Sequence, residues 1–103
     1  MKIRQGTTPS ISISLPYGVS HMDIVSAAVT IKQDGQIKIE KDLPDIEFTE
    51  NYAEIKLTQE ETLSLSSKST AFIQAAWTTD DDNCYRSQSY DITIDRADKP
   101  EVV

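Results

Sequence analysis

Cysteine and histidine are almost absent from this sequence. Its 103 residues contain one of each, Cys84 and His21. A single cysteine excludes an intrachain disulfide, and one cysteine with one histidine cannot complete a zinc site built from those ligands. We predict a solvated loop histidine at position 21 and a quiet, half-buried cysteine at position 84. No cofactor and no enzymatic activity are expected.

Basic residues and long apolar runs are also scarce. Ten Lys and Arg stand against 17 Asp and Glu, which gives a formal net charge of −7. Nucleic-acid backbones require a Lys/Arg-rich face, and docking on an anionic membrane requires positive charge as well. We identify no signal peptide and no apolar run long enough for a transmembrane helix. We therefore expect no nucleic acid, membrane or small-molecule substrate as a partner.

Apolar residues instead alternate with polar ones, which is typical of half-buried β-strands. The alternation is clearest where Ile11, Ile13 and Leu15 interleave with serines. Asp34-Gly35 tolerates positive φ at both central positions of a type I′ turn and predicts a two-residue hairpin. Seven predicted strands cover residues 10–15, 24–32, 36–41, 46–49, 53–57, 70–78 and 84–95, and a short additional strand is expected at residues 2–5.

The alternation also assigns side chains to faces of the predicted strands. Val25, Ala27, Val29 and Ile31 are expected to share one inward face. On the return strand, Ile37 and Ile39 are expected to point inward.

One helix start interrupts the strands. Thr58 and Glu61 have the spacing of a capping box, and the serines that follow predict a helix of one or two turns. Leu63 or Leu65 is expected to close the bottom of the core.

The fold class follows from these elements. About seven short strands, separated by turn signals, predict an all-β, antiparallel, immunoglobulin-like sandwich with one short helical turn. A small closed barrel is the alternative, because alternation does not separate the two. We assign residues 1–95 to the sandwich domain and residues 96–103 to a charged C-terminal tail.

Two strands carry unusual outer faces. In the strand over residues 70–78, Phe72, Gln74 and Ala76 oppose the core face, and Phe72 and Ala76 make that outer face partly apolar. This pattern fits a mid-sheet strand whose Phe72 covers a small satellite cluster, or an apolar patch that docks another subunit. In the strand near the N-terminus, Ser10, Ser12 and Ser14 form an outer face without charge, which makes that edge a candidate for strand pairing. These six residues are the candidate interface, and a symmetric homo-oligomer is expected.

Three segments resemble a known family: residues 3–9 (IRQGTTP), 57–63 (LTQEETL) and 89–92 (SYDI). They are similar to short proteins encoded among the structural genes of phages and prophages of gut-associated Gram-positive bacteria. More loosely, the chain resembles the immunoglobulin-like N-terminal domain of phage baseplate upper proteins. The resemblance implies a virion structural or assembly role beside other phage structural proteins, and it implies no catalytic residues.

The first two segments also have a physical interpretation. Gly6 permits a sharp turn before Pro9, so residues 4–9 can cross between the sheets. The Thr58–Glu61 box can form a corner between them. Both segments are predicted to determine the fold.

Two other interpretations remain open. A sandwich with exposed aromatic rings can bind a glycan or host surface, and the candidate rings are Tyr17, Tyr52, Trp77, Tyr85 and Tyr90. Residues 80–83 (DDDN) contain oxygen ligands of the type that Ca²⁺ prefers. They lack the spaced ligands of a calcium loop, so we predict a solvated hairpin tip.

Overall fold

Two β-sheets form the body of the protein. The structure, a computed structural model, describes residues 1–15, 21–49 and 51–98, with His21 described by its backbone alone. These residues contain nine strands and one α-helix, α1, at Gln59–Leu63. No described helix has the length and apolar character needed to cross a membrane. The strands are β1 (Lys2–Arg4), β2 (Ser10–Ser14), β3 (Ile24–Gln33), β4 (Gln36–Asp42), β5 (Glu47–Phe48), β6 (Tyr52–Lys56), β7 (Ala71–Thr79), β8 (Cys84–Arg86) and β9 (Tyr90–Asp95).

The strand order is that of an immunoglobulin-like sandwich. The smaller sheet has the order β2-β6-β5, and the larger has the order β1-β9-β7-β3-β4, with β8 also beside β7. These orders match B-E-D in one layer and C′-C-F-G in the other. The predicted fold class is thereby confirmed. One pairing departs from the antiparallel pattern, because β1 runs parallel to β9, with Ile3 opposite Ile94.

Two positive-φ glycines shape the chain as predicted. Asp34 and Gly35 have φ values of 55° and 76° and join β3 to β4 in a tight hairpin. Gly6 has a φ of 79° and lies between β1 in the larger sheet and β2 in the smaller. The crossing between sheets therefore occurs at the predicted position.

Two predicted core residues, Val25 and Ile37, face outward instead. Both side chains are 56% exposed. The register of β3 shifts beside Val25 where it pairs with β7, and the register with β4 shifts after Ile31, so that Ile37 pairs with Lys32. An extra residue in one strand reverses the face of its neighbours. These two assignments were wrong because the alternation was continued through bulges.

The predicted last strand is divided in two. β8 and β9 both pair with β7, and a break at residues 87–89 separates them. Within the break, the Ser87 amide donates to the Ala75 carbonyl oxygen at 2.8 Å, and the Ser87 hydroxyl accepts from the Ala75 amide at 2.9 Å. The Ser87 hydroxyl oxygen thus takes the place of a backbone carbonyl oxygen as an acceptor in the β-ladder. Because the last strand is divided, the strand count rises above the predicted seven.

The core lies between the two sheets. Leu65, just after α1, is 1% exposed and closes it, while Leu63 is only half-buried. Beyond the predicted boundary at residue 95, Ala97 is still buried, and its amide donates to Gln5 Oε1 at 3.2 Å. The buried apolar cluster comprises Ile3, Ile11, Ile13, Val29, Ile31, Ile39, Ile46, Ala53, Ile55, Leu57, Leu65, Ala71, Ile73, Ala75, Trp77, Ile92 and Ile94.

The predicted capping box begins α1. The Glu61 amide donates to Thr58 Oγ1 at 3.1 Å, and the Thr58 amide donates to Glu61 Oε1 at 2.9 Å. Lys41 of β4 donates to the same carboxylate at 2.8 Å. Together these contacts satisfy donors at the helix start and attach the helix to the larger sheet.

Several predicted features lie outside the described residues. They are residues 17–20 of the predicted loop with the side chain of His21, Glu50 of the predicted turn at 50–51, and residues 99–103 of the predicted tail.

Candidate interaction surfaces

The first candidate surface is the free side of β2. β2 pairs with β6 alone among the described strands. In constant-type immunoglobulin sheets the first strand lies beside the second. Here β1 pairs with β9 in the other sheet. The backbone N–H and C=O groups of Ser10, Ser12 and Ser14 on this free side are called the serine edge below.

The hydrogen bonds that flank β2 show which backbone groups are free. The Leu15 amide donates to the Asn51 carbonyl oxygen at 2.8 Å, and the Leu57 amide donates to the Pro9 carbonyl oxygen at 3.0 Å. Both bonds continue the β2–β6 register. Hydrogen-bonded pairs alternate along an antiparallel ladder, so the odd-numbered residues of β2 bond to β6. The serines, at even positions, direct their amides and carbonyls away from β6.

A groove runs beside the serine edge. Its volume is about 580 Å³, and its lining includes Met1, Ser12, Ser14, Tyr90 and Asp91. Met1 and Tyr90 are 56% and 41% exposed. The free side of β2 therefore opens onto a space between the two sheets.

The second candidate surface lies on the outside of the larger sheet. Phe72 is 44% exposed and pairs across the strands with Lys32, which in turn pairs with Ile37. These three side chains lie in a row across β7, β3 and β4. The surface around them is called the Phe72 face.

The predicted residues Phe72, Gln74 and Ala76 do share this face. Gln74 and Ala76 are half-buried, and the Gln74 side-chain amide donates to the Ser87 carbonyl oxygen at 3.0 Å. A groove of about 320 Å³ extends from Phe72 past Gln74 to Arg86. Phe72 thus supplies the exposed apolar surface, while Gln74 is partly used to hold the break between β8 and β9.

Ile37 is the member of the Phe72 face that sequence reasoning missed. The alternation around β4 assigns it to the core, and no sequence signal marks the bulge at Lys38. Lys32 and Arg86 add positive charge beside the apolar pair in a protein whose net charge is −7. Asp91, which pairs with Phe72 from β9, adds one negative charge.

The aromatic residues proposed for glycan binding do not share one exposed platform. Trp77 is 3% exposed and lies in the core, with Tyr85 stacked on it at a centroid distance of 6.4 Å. Tyr52 is on β6 of the smaller sheet, and Tyr90 is on β9 of the larger. Tyr17 lies outside the described residues. The described rings therefore do not favour this alternative.

The hairpin tip at residues 80–83 uses its own acceptors. The Thr79 hydroxyl donates to the Asp81 carboxylate and lowers the pKa of that group, and the Asn83 side-chain amide donates to Asp81 Oδ2 at 2.7 Å. Within the described part of the chain, no three His, Cys, Asp or Glu side chains are grouped to hold a metal ion. The carboxylate of Asp81 therefore accepts hydrogen bonds from its own turn, which it stabilises.

Cys84 differs from its predicted environment. It is exposed rather than half-buried, and its Sγ lies 3.6 Å from Thr78 Oγ1. The two residues are paired across β7 and β8 near the hairpin tip, where few atoms cover them.

Residues 3–9 and 57–63, two of the three segments that carry the phage resemblance, pack against each other. The Gly6 amide donates to Thr62 Oγ1 at 2.9 Å, and the Thr62 hydroxyl donates to the Thr7 carbonyl oxygen at 2.9 Å. Gln5 Nε2 donates to the Leu65 carbonyl oxygen at 2.6 Å. Segments more than 50 positions apart in sequence thus form one corner, as expected for residues that determine the fold.

Comparisons with known proteins add little to this description. No family model and no curated protein matches the chain. An immunoglobulin-like domain of mouse leukocyte-associated immunoglobulin-like receptor 1, solved as a strand-swapped dimer, has a TM-score of 0.49 and 17% identity, covering 91% of this chain and 85% of that one. The V domain of amphioxus IgVJ-C2 has a TM-score of 0.37 and 12% identity, covering 92% and 99%. Because these TM-scores lie below 0.5, we base the fold assignment on strand order and register.

Proposed function

We propose that this chain is a non-enzymatic structural or assembly component of a bacteriophage particle that works by contact with other particle proteins. The observation that carries the proposal is the exposed pair of Phe72 and Ile37 on the Phe72 face. The phage assignment itself rests on the resemblance of residues 3–9, 57–63 and 89–92. Localisation in the virion, after assembly in the bacterial cytoplasm, is part of the same proposal.

The chemistry of the Phe72 face supports a protein partner. An aromatic ring at the centre of a polar rim is the usual form of an interface anchor. Lys32 and Arg86 lie beside Phe72 and Ile37 and can contact acidic groups around an apolar patch on the partner. A partner surface of apolar and acidic side chains fits this arrangement best.

Particle incorporation tests the proposal. A tagged copy of the chain, expressed in the bacterium that carries the phage, should co-purify with particles on a density gradient. Phe72→Ser should reduce the amount in particles at least tenfold, because it removes the anchor ring. Tyr52→Ser is the matched control, since Tyr52 is an exposed ring on the other sheet.

Two outcomes would contradict the proposal. Particles that contain none of the wild-type chain would reject the virion role. Equal incorporation of Phe72→Ser and wild type would reject the Phe72 face as the contact surface.

A further inference from the structure

The serine edge has unused hydrogen-bonding capacity. Ser10, Ser12 and Ser14 present amides and carbonyls to the free side of β2, and these groups bond to no other described residue. Exposed strand edges in proteins are usually protected by charged side chains, proline or a bulge. β2 has none of these within residues 10–14, whose sequence is Ser-Ile-Ser-Ile-Ser.

That sequence is palindromic. Its symmetry favours a second, antiparallel copy of the same strand as the partner. When two antiparallel copies are centred on Ser12, Ser12 faces its own counterpart and Ser10 faces Ser14 of the second copy. Every residue with outward backbone groups then meets another of the same kind. Each such pair exchanges two hydrogen bonds, so the three pairs form about six. Ile11 meets Ile13 of the second copy on the buried face.

We infer that two copies of this chain associate through their serine edges, antiparallel and centred on Ser12, into one continuous sheet of order β5-β6-β2-β2-β6-β5. The contact is isologous, as a two-fold dimer requires. A second copy of the chain is then the first partner within the proposed assembly role. The biological meaning of the dimer rests on that proposed function. Its test uses the purified chain and does not depend on the particle.

Charge favours this edge over other surfaces of the chain. With a net charge of −7, most faces of two copies repel each other, whereas the serine edge carries only hydroxyls. On the same face of the sheet, Glu54 of β6 pairs with Ser12, and Asp91 of β9 lines the groove on the free side of β2. In the dimer the two Glu54 side chains would be three strand spacings apart, about 14 Å. That separation exceeds the Debye length of about 8 Å at physiological ionic strength, so their repulsion is screened.

Space also permits the pairing. The groove of about 580 Å³ beside Ser12 and Ser14 opens along this side of the sandwich. An added strand therefore meets the exposed side chains of Met1, Tyr90 and Asp91 at the groove.

Amide hydrogen exchange, followed residue by residue by NMR while concentration is raised, tests the inference directly. The amides of Ser10, Ser12 and Ser14 should exchange quickly in dilute protein and slow at least tenfold as dimer forms in sedimentation velocity. The amides of Ile11 and Ile13 are the internal control, because they already bond to β6 and should be protected throughout. A monomer at all concentrations, or a dimer in which the three serine amides stay fast, would overturn the inference.

Two double variants test the register. The carboxylate introduced by Ser10→Glu lies opposite Lys56 of β6, so the fold should tolerate this substitution. Combined with Ser14→Lys, it places opposite charges in both outer pairs of the dimer, and combined with Ser14→Glu it places like charges there. Dimerisation should persist in the first variant and weaken at least tenfold in the second. Equal dimerisation of the two would refute the antiparallel register.

Ser12→Pro tests the central pair. Proline removes an amide that the β2–β6 ladder does not use, and strand edges accept proline at such positions. Circular dichroism should show a folded chain, while sedimentation should show monomer. Phe72→Ser should leave the dimer unchanged, so failure of this inference and failure of the proposed function are separable. A dimer that survives Ser12→Pro would contradict the central pairing.

Discussion

Replacing Gln33 by methionine would test the side-chain hydrogen bonds that attach the loop between α1 and β7 to the end of β3. Gln33 ends β3 and is 1% exposed. Its Nε2 donates to the carbonyl oxygens of Ser66 at 2.7 Å and Ser69 at 2.9 Å, and its Oε1 accepts from the Ser66 amide at 2.7 Å. One side chain thus fixes the loop between α1 and β7 to the sheet.

The cost of the substitution follows from these three bonds. Each contributes about 1 kcal/mol net, and a buried group left without a partner costs about 1–3 kcal/mol. Methionine matches the length of glutamine but offers no hydrogen-bonding atom of comparable strength. Ser66 and Ser69 are half-buried, so water can replace part of the loss. We expect Gln33→Met to lower the free energy of unfolding by about 2–3 kcal/mol, a large share of the 5–15 kcal/mol typical of a domain.

Thermal and urea unfolding measure this loss, and the hairpin offers a matched control. Gln36 pairs with Gln33 across the turn but is exposed, so Gln36→Met should change stability by less than about 0.5 kcal/mol. For Gln33→Met, the melting temperature should fall by about 10–20 °C. If both variants unfold at the same temperature, the three hydrogen bonds of Gln33 do not stabilise the fold, and the prediction is wrong.

Two other predictions concern the corner around α1. Thr62→Val removes the hydroxyl that accepts from the Gly6 amide and should cost about 1–3 kcal/mol in urea unfolding; a cost below that of the exposed control Thr93→Val would refute the role. Burial opposes ionisation of Glu61, but hydrogen bonds from Lys41 and from the N-cap amide lower the pKa of its carboxyl. Its ionised form therefore adds stability above the unfolded pKa of about 4.3, which is lost as pH falls through the lower folded pKa. Lys41→Met should cost about 1 kcal/mol at pH 7, and this cost should shrink in urea titrations as the pH falls through the folded pKa of Glu61; a pH-independent cost would contradict it.

Local patterns predicted most of the elements. The alternation around Ile11 and Ile13, the Asp34-Gly35 turn and the Thr58–Glu61 capping box each depend on residues close in sequence. Their backbone preferences and hydrogen bonds act within one turn or one strand. The structure contains all of them at the predicted positions, and the sandwich follows from their number and spacing.

The candidate surfaces were only partly predictable. The exposure of Phe72 and of the serines of β2 follows from alternation, and both are present. Ile37 was missed because the bulge beside it depends on how β4 pairs with β3. The buried role of Gln33 was missed because its partners lie more than 30 positions away, in a loop whose path the sequence does not reveal.

By itself, the sequence determined most of the segments that form strands, where the tight turn lies and where the helix begins, because short-range sterics and alternating hydrophobicity govern these features. Tertiary structure alone decided that β1 joins β9, that β2 is left with a free side, and that Ile37 faces solvent. These outcomes depend on competition between distant strands for the same backbone partners, and an alternating pattern fits many such pairings equally well.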